Sequence, residues 1–248
     1  MIKLQGAEKL YGRTKAQRIK NSKGFQSISL EIPDGQVVGI LGENGAGKST
    51  LLRAIAGLTD LTDGRVLFDE DPVQQHYAEI AYITSEGSYF PNMTPNEYRS
   101  FLQDFFPSFD ENRYNKLMEF FQLDPDQKIS RMSTGQRSKL EVAAGMSKRA
   151  KYILMDEPFL GKDVFTRRDF LKLLAGSLRG EETILLSSHH VEEIEPFIDR
   201  VVILHESRLA EDRMMDDLLN EGQNLTQVLQ KATGYDPERY RRIFAEED

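Results

Sequence analysis

The chain of 248 residues contains no cysteine, which excludes disulfides and thiolate metal sites and is compatible with a reducing compartment. Nowhere does it approach the roughly 20 consecutive apolar residues of a spanning helix. Its start, Met1-Ile2-Lys3-Leu4-Gln5-Gly6, lacks a signal-peptide core. Any membrane role is therefore expected to be peripheral. Positive charge is in deficit, with 32 Lys and Arg against 40 Asp and Glu and a formal net charge of -8. That balance disfavours a phosphate backbone as partner, so no nucleic-acid role is expected. The remaining composition, 39% hydrophobic and 29% charged, is that of a folded protein, and the length suits one large domain with a sub-domain.

Ile28, Leu30 and Ile32 alternate at period two before the turn Pro33-Asp34-Gly35, predicting an antiparallel strand. The run Val37–Leu41, a glycine-rich loop and the helical spacing of Leu51, Leu52, Ile55 and Ala56 then read as strand, loop and helix. Apolar runs at 80–83, 152–155, 183–186 and 201–204 predict further buried strands of a mostly parallel α/β sheet. Thr94-Pro95-Asn96-Glu97 has the pattern of a capping box with proline at the first helical position. Residues 89–121 hold ten of the 14 Phe and 9 Tyr, which suits a small helical core, a binding surface, or both. Beyond residue 212, Leu218, Leu219, Leu225, Val228 and Leu229 are spaced for amphipathic helices.

Gly42-Glu43-Asn44-Gly45-Ala46-Gly47-Lys48-Ser49, followed by Thr50, fits G-x-x-x-x-G-K-[ST] between a strand and a helix. Small residues let backbone N–H groups curl around phosphates, the helix N-terminus adds partial positive charge, Lys48 reaches the β- and γ-phosphates, and Ser49 suits Mg²⁺. The apolar run Tyr152–Met155 delivers Asp156 and Glu157 at its carboxyl end, where open α/β sheets bind ligands. Asp156 suits Mg²⁺ through Ser49 and water, and Glu157 is a candidate general base.

Met132-Ser133-Thr134-Gly135-Gln136, 23 residues before Asp156 counted from Ser133, resembles the signature motif of ABC ATPases. Ser133, Gly135 and Gln136 match the usual L-S-G-G-Q, whereas Met132 and Thr134 depart from it. Ser133 and Gln136 can also form a capping box that leaves N–H groups aimed at an anion. The resemblance covers about residues 1–210. It implies a RecA-like P-loop core with an antiparallel β-subdomain, a helical sub-domain inserted at about 86–150, and a short helical extension at 211–248. It also implies that Ser133 and Gly135 of a second copy cover the γ-phosphate of ATP, that Tyr11 stacks on adenine, and that His189 is the switch histidine. Asp163, in Gly161-Lys162-Asp163, resembles the loop that crosses the dimer interface, with Lys162 replacing the usual leucine. The family glutamine that contacts Mg²⁺ has no match: its slot holds Ser85, with Glu86 beside it; either one reaches the metal through water, or the loop is only a hinge. The basic run Arg13, Lys15, Arg18, Lys20 and Lys23 suits a solvated loop or a lipid-headgroup contact. Taken together, the resemblance implies an ATPase driving transport through separately encoded transmembrane permease subunits, dimeric and peripheral on the cytoplasmic face of the membrane. Residues 225–234 resemble the end of ATPases from the drug and antibiotic export branch. A soluble ABC ATPase and a regulatory nucleotide-binding module are the competing readings.

Overall fold

The computed structural model describes residues 1–12, 24–84, 87–158, 170–174, 176, 180–189 and 191–235. Ser85, Glu86, Gly161, Lys162, Asp163, His190 and the basic run from Arg13 to Lys23 lie outside the described residues.

Ile28, Leu30 and Ile32 are buried on β2 (Gly24–Ile32), while Ser29 and Glu31 between them face solvent. That one-sided pattern is what a strand packed on a single face requires. β2 pairs antiparallel with β1 (Ile2–Leu10) in the register Leu4 to Leu30, and β1 pairs with β4 (Asp63–Phe68), which carries the short β5 (Asp71–Pro72) at the edge. The strands β3 (Val37–Leu41), β6 (Ile80–Thr84), β7 (Tyr152–Asp156), β8 (Thr183–Ser187), β9 (Arg200–His205) and β10 (Arg208–Met214) form the second sheet, in the order β10-β9-β3-β8-β7-β6. All neighbours are parallel except β9 and β10. β7 and β8 are buried along their whole length, which is why their sequences are continuous apolar runs and do not alternate.

Period two reappears as a choice of core. Tyr152 and Leu154 of β7 pack with Leu4, Phe25, Ile28 and Leu51 under the antiparallel sheet. Ile153 and Met155 pack on the opposite face with Tyr98, Leu117, Leu140 and Val228. The parallel sheet is thus the middle layer. On the first side lie the antiparallel sheet and α1 (Lys48–Ile55). On the other lie α2 (Pro95–Phe105), α3 (Glu111–Phe120), α4 (Thr134–Ser147), α5 (Val191–Ile194), α6 (Met215–Asn220) and α7 (Leu225–Thr233).

The helix starts are locally encoded. Thr94 Oγ1 accepts from Glu97 N while Thr94 N donates to Glu97 Oε2, and Ser133 and Gln136 make the same reciprocal pair at α4. The aromatics of 89–121 divide: Tyr98 and Tyr114 are buried, whereas Phe90, Phe105 and Phe120 are each about half exposed or more. Both a core and a surface are therefore made from one cluster. Leu219 departs from the expected apolar stripe. It is 70% exposed, because on the short α6 its neighbour Leu218 takes the core-facing direction and one residue is a rotation of about 100°. Among the described residues no helix is long and apolar enough to cross a membrane.

Candidate functional site

β3 ends at Leu41, and the chain turns through Gly42–Gly47 into α1. Two glycines fix that turn. Gly42 has φ +147° and Gly47 has φ +104°; a Cβ on Gly42 would lie 2.2 Å from Leu204 O, and one on Gly47 would lie 2.3 Å from Gly24 O. The loop is thus held between β9 of one sheet and β2 of the other. Gly45 has φ +87° but nothing within 4 Å of a Cβ, so it faces open space. Gly47→Ala is expected to lower unfolding stability by roughly 2–4 kcal/mol through strain and overlap. Gly45→Ala, strained only in φ, should cost about 1 kcal/mol. Paired chemical denaturation curves measure the difference, and equal losses would contradict this account of the loop.

Lys48 is buried; its Nζ donates to Gly42 O at 2.8 Å and Glu43 O at 3.3 Å and lies 3.6 Å from Glu157 Oε1. The ammonium is thereby folded across the loop from which the backbone N–H groups project. Ser49 Oγ, one residue on, donates to Asp156 Oδ1 at 2.8 Å.

Asp156 and Glu157 arrive at the carboxyl end of β7, beside Thr84 of β6 and Ser187 of β8 in register. Ser187 Oγ donates to Asp156 Oδ1 at 2.9 Å and Tyr82 OH donates to Asp156 Oδ2 at 3.0 Å, so the buried carboxylate has three hydroxyl donors. Burial first, then the adjacent Asp156 carboxylate, push the Tyr82 hydroxyl above its ordinary range, and Arg53 pulls the other way. Glu157 has φ +48°, a left-handed backbone for a non-glycine residue, and its N–H donates to Ser187 Oγ at 2.9 Å. The turn swings its side chain back over the loop. Glu157 Oε2 lies 2.9 Å from His189 Nδ1, completing a Lys48, Glu157, His189 row.

Of these groups Lys48, Ser49 and Glu157 line a cleft of about 480 Å³, together with Tyr11, Asn44, Gly45, Thr50 and Arg53; Asp156 and His189 stand behind it, bonded to Ser49 and Glu157. Hard oxygen donors on Ser49 and Asp156 fit a small divalent cation that takes few protein ligands and completes its shell with water and phosphate. The row and loop can therefore hold a polyphosphate, and Glu157 with His189 can handle a water molecule at its end.

Not every residue singled out in the sequence comes to this cleft. Ser133, Gly135 and Gln136 lie at the N-terminus of α4, with Ser133 and Gly135 exposed, and none of them lines it. Gly42 and Glu43, with Ser188 and His189, instead border a second cavity of about 310 Å³ closed by Thr226, Leu229, Gln230, Thr233 and Tyr235. Sequence reasoning missed Arg53 and the roles of Tyr82 and Ser187. Ser187 directly follows the apolar run 183–186 and stands two residues before His189, but Tyr82 reads simply as part of a strand.

Residues 25–160 match the ABC transporter family. The chain is 30% identical over 213 residues to the ABC transporter ATP-binding protein YtrB of Bacillus subtilis, covering 84% of this chain and 73% of that one. It is 26% identical to the lipopolysaccharide export system ATP-binding protein LptB of Escherichia coli, covering 86% and 93%. In fold it is similar to the ATP-binding subunit of an ABC transporter at TM-score 0.79 and 22% identity, over 94% of this chain and 99% of that one. It is similar also to the dimeric ATP-binding cassette MJ0796, in a post-hydrolysis state bound to ADP and Pi, at TM-score 0.74 and 20% identity, over 87% and 99%. The fold is therefore the RecA-like P-loop core with its added antiparallel β-sheet, and the chain belongs to the ABC transporter family, as one of its ATP-binding members.

Proposed function

We propose that the chain binds MgATP in the Lys48 cleft and hydrolyses it inside a dimer of two copies, powering transport by separately encoded membrane subunits. The observation that carries this reading is the separation of two anion-directed elements on one chain. The P-loop cleft is open to solvent, and the capped N-terminus of α4, with its free N–H groups, is exposed elsewhere. A second copy, related by a two-fold axis, supplies to each cleft the α4 terminus that its own chain does not.

In this reading Gly42, Glu43, Asn44, Gly45, Ala46, Gly47 and Thr50 hold the phosphates by their backbone. Tyr11 stacks on the base, and Ser133, Gly135 and Gln136 of the other copy close on the γ-phosphate. Mg²⁺, when bound, neutralises charge on the phosphate oxygens, and Ser49 with Asp156 would hold it. Lys48 binds the transferring phosphoryl group, Glu157 takes a proton from water, and His189 orients that water and the developing charge. Residues 1–210 form the ATPase domain, 86–150 its helical sub-domain and 211–248 the extension. The half-exposed Phe90 and Phe105 suit contact with a membrane subunit at the cytoplasmic face. Placement in the drug and antibiotic export branch rests on residues 225–234 alone.

Mg²⁺-dependent turnover measured against chain concentration is the test, with molecular mass followed in parallel. The rate per chain should rise with concentration as monomer converts to dimer in ATP. Turnover that stays proportional to concentration while the chain remains monomeric would sink the reading.

A further inference from the structure

Glu141 is a carboxylate in the middle of α4 that the chemistry above does not use, and it is almost completely buried, at 2% exposure. An acid so placed is costly unless its oxygens are satisfied. Both are: Ser88 N donates to Glu141 Oε2 at 3.0 Å and Ser88 Oγ donates to Glu141 Oε1 at 2.6 Å. With its proton committed to Glu141, Ser88 Oγ accepts from Tyr98 OH of α2 at 3.0 Å. Lys148, just past α4, is buried with its Nζ 4.4 Å above the Phe106 ring and adds its field to that of the carboxylate. Burial pushes the Glu141 carboxyl up and the Lys148 ammonium down.

The placement of Ser88 gives this network a mechanical meaning. Ser88 follows shortly after Thr84, which stands beside Asp156 in the sheet register. It also lines an apolar cleft of about 240 Å³ with Leu58, Tyr77, Tyr82 and Lys148, where Leu58 and Tyr77 are exposed. Ser88 thus borders an outer cleft while its side chain holds the interior of α4 and α2. From Glu141 to the start of α4 is seven residues, about 10 Å of rigid helix. Residue Gly145, farther along α4, is packed so closely that a Cβ there would lie 2.3 Å from Ile83 Cγ1 of β6, which makes a pivot on the same side.

We propose that Glu141 is a positioning residue, a latch through which the Ser88 segment sets the aim of the Ser133–Gln136 tip of α4 at the other copy. The inference rests on the dimer reading above. It predicts that cutting the latch spares nucleotide binding by each chain, whose cleft contains neither residue, and weakens ATP-dependent closure.

The experiment uses the full chain with Glu157→Gln, ATP and Mg²⁺, and reads two quantities: affinity for a fluorescent ATP analogue, and the concentration of half-dimerisation by sedimentation. Ser88→Ala and Glu141→Ala should leave the first unchanged and raise the second by about 5- to 150-fold, the range of a coupling of 1–3 kcal/mol. Glu141→Gln should restore most of it, because its carbonyl can accept from Ser88 N while its amide donates to Ser88 Oγ. Dimerisation unchanged in Ser88→Ala and Glu141→Ala overturns the latch. So does a loss that merely tracks melting temperature and is not rescued by Gln. If the parent Glu157→Gln itself fails to dimerise with ATP, the dimer reading falls and the latch with it; that outcome appears before any latch variant is compared.

Discussion

Replacing Glu157 by glutamine should lower Mg²⁺-dependent ATP turnover by about 10²–10⁴-fold, the range set by loss of a general base. Affinity for ATP should stay the same or tighten. The geometry gives both halves of this result. Glu157 Oε1 is 3.6 Å from Lys48 Nζ and Oε2 is 2.9 Å from His189 Nδ1, so glutamine keeps the shape and the contact with the ring but cannot take up a proton. It also removes a negative charge from beside the lysine, leaving more of the ammonium field for phosphate. ATP bound but unhydrolysed should then hold two copies together. Single-turnover hydrolysis, equilibrium nucleotide binding and sedimentation check the three consequences. A variant that turns over within threefold of the parent would take the proton-accepting role away from Glu157.

The second large effect is a recovery. Lys48→Ala alone loses the phosphate clamp, and Gly135→Asp alone places a carboxylate where the exposed tip of α4 should meet an anion. Each should be nearly inactive. Mixed in equal amounts they should regain about a quarter of the parent activity. Half of the two-fold pairs are then mixed, and each mixed pair has one cleft in which an intact P-loop faces an intact Gly135. The gain is from near zero, so it is easy to read in a steady-state assay titrated with the second variant. No recovery, with both variants still able to pair, would mean that the two elements do not complete one another across copies.

What could be read in advance follows from distance along the chain. The P-loop is eight consecutive residues, and the bonds of Lys48 back to Gly42 O and Glu43 O are local to it. The same holds for the caps at Thr94 and Ser133 and for the buried runs of β7 and β8. β10 was not legible, because Arg208–Met214 is a partly exposed edge strand with four charged residues, and neither period nor apolarity marks it. Ser49 was expected beside Asp156, but the other two donors to that carboxylate were not legible, for a different reason. Tyr82 and Ser187 come from separate strands at separations of 74 and 31 residues, and only strand order makes them neighbours of Asp156. α7 likewise looks like a tail in the sequence, yet it returns to wall a cavity shared with Gly42, Glu43 and His189.

Strand order has a further meaning when the chain is considered as something synthesised from its N-terminus. β3, which leads into the P-loop, pairs only with β8 and β9 among the described residues. Its partners are made almost 150 residues later, and Leu204 O, against which Gly42 closes, later still. A nascent chain therefore carries a short, wholly apolar strand with both edges open for most of its translation. ATP cannot template the whole loop early, since the closure of Gly42 on Leu204 O and the pairing of β3 wait for residues 183–205, and pairing at such separation is slow. A ribosome that stalls before residue 183 leaves a fragment with no nucleotide site and a strand ready to pair with its neighbour, which makes residues 183–205 decisive for solubility.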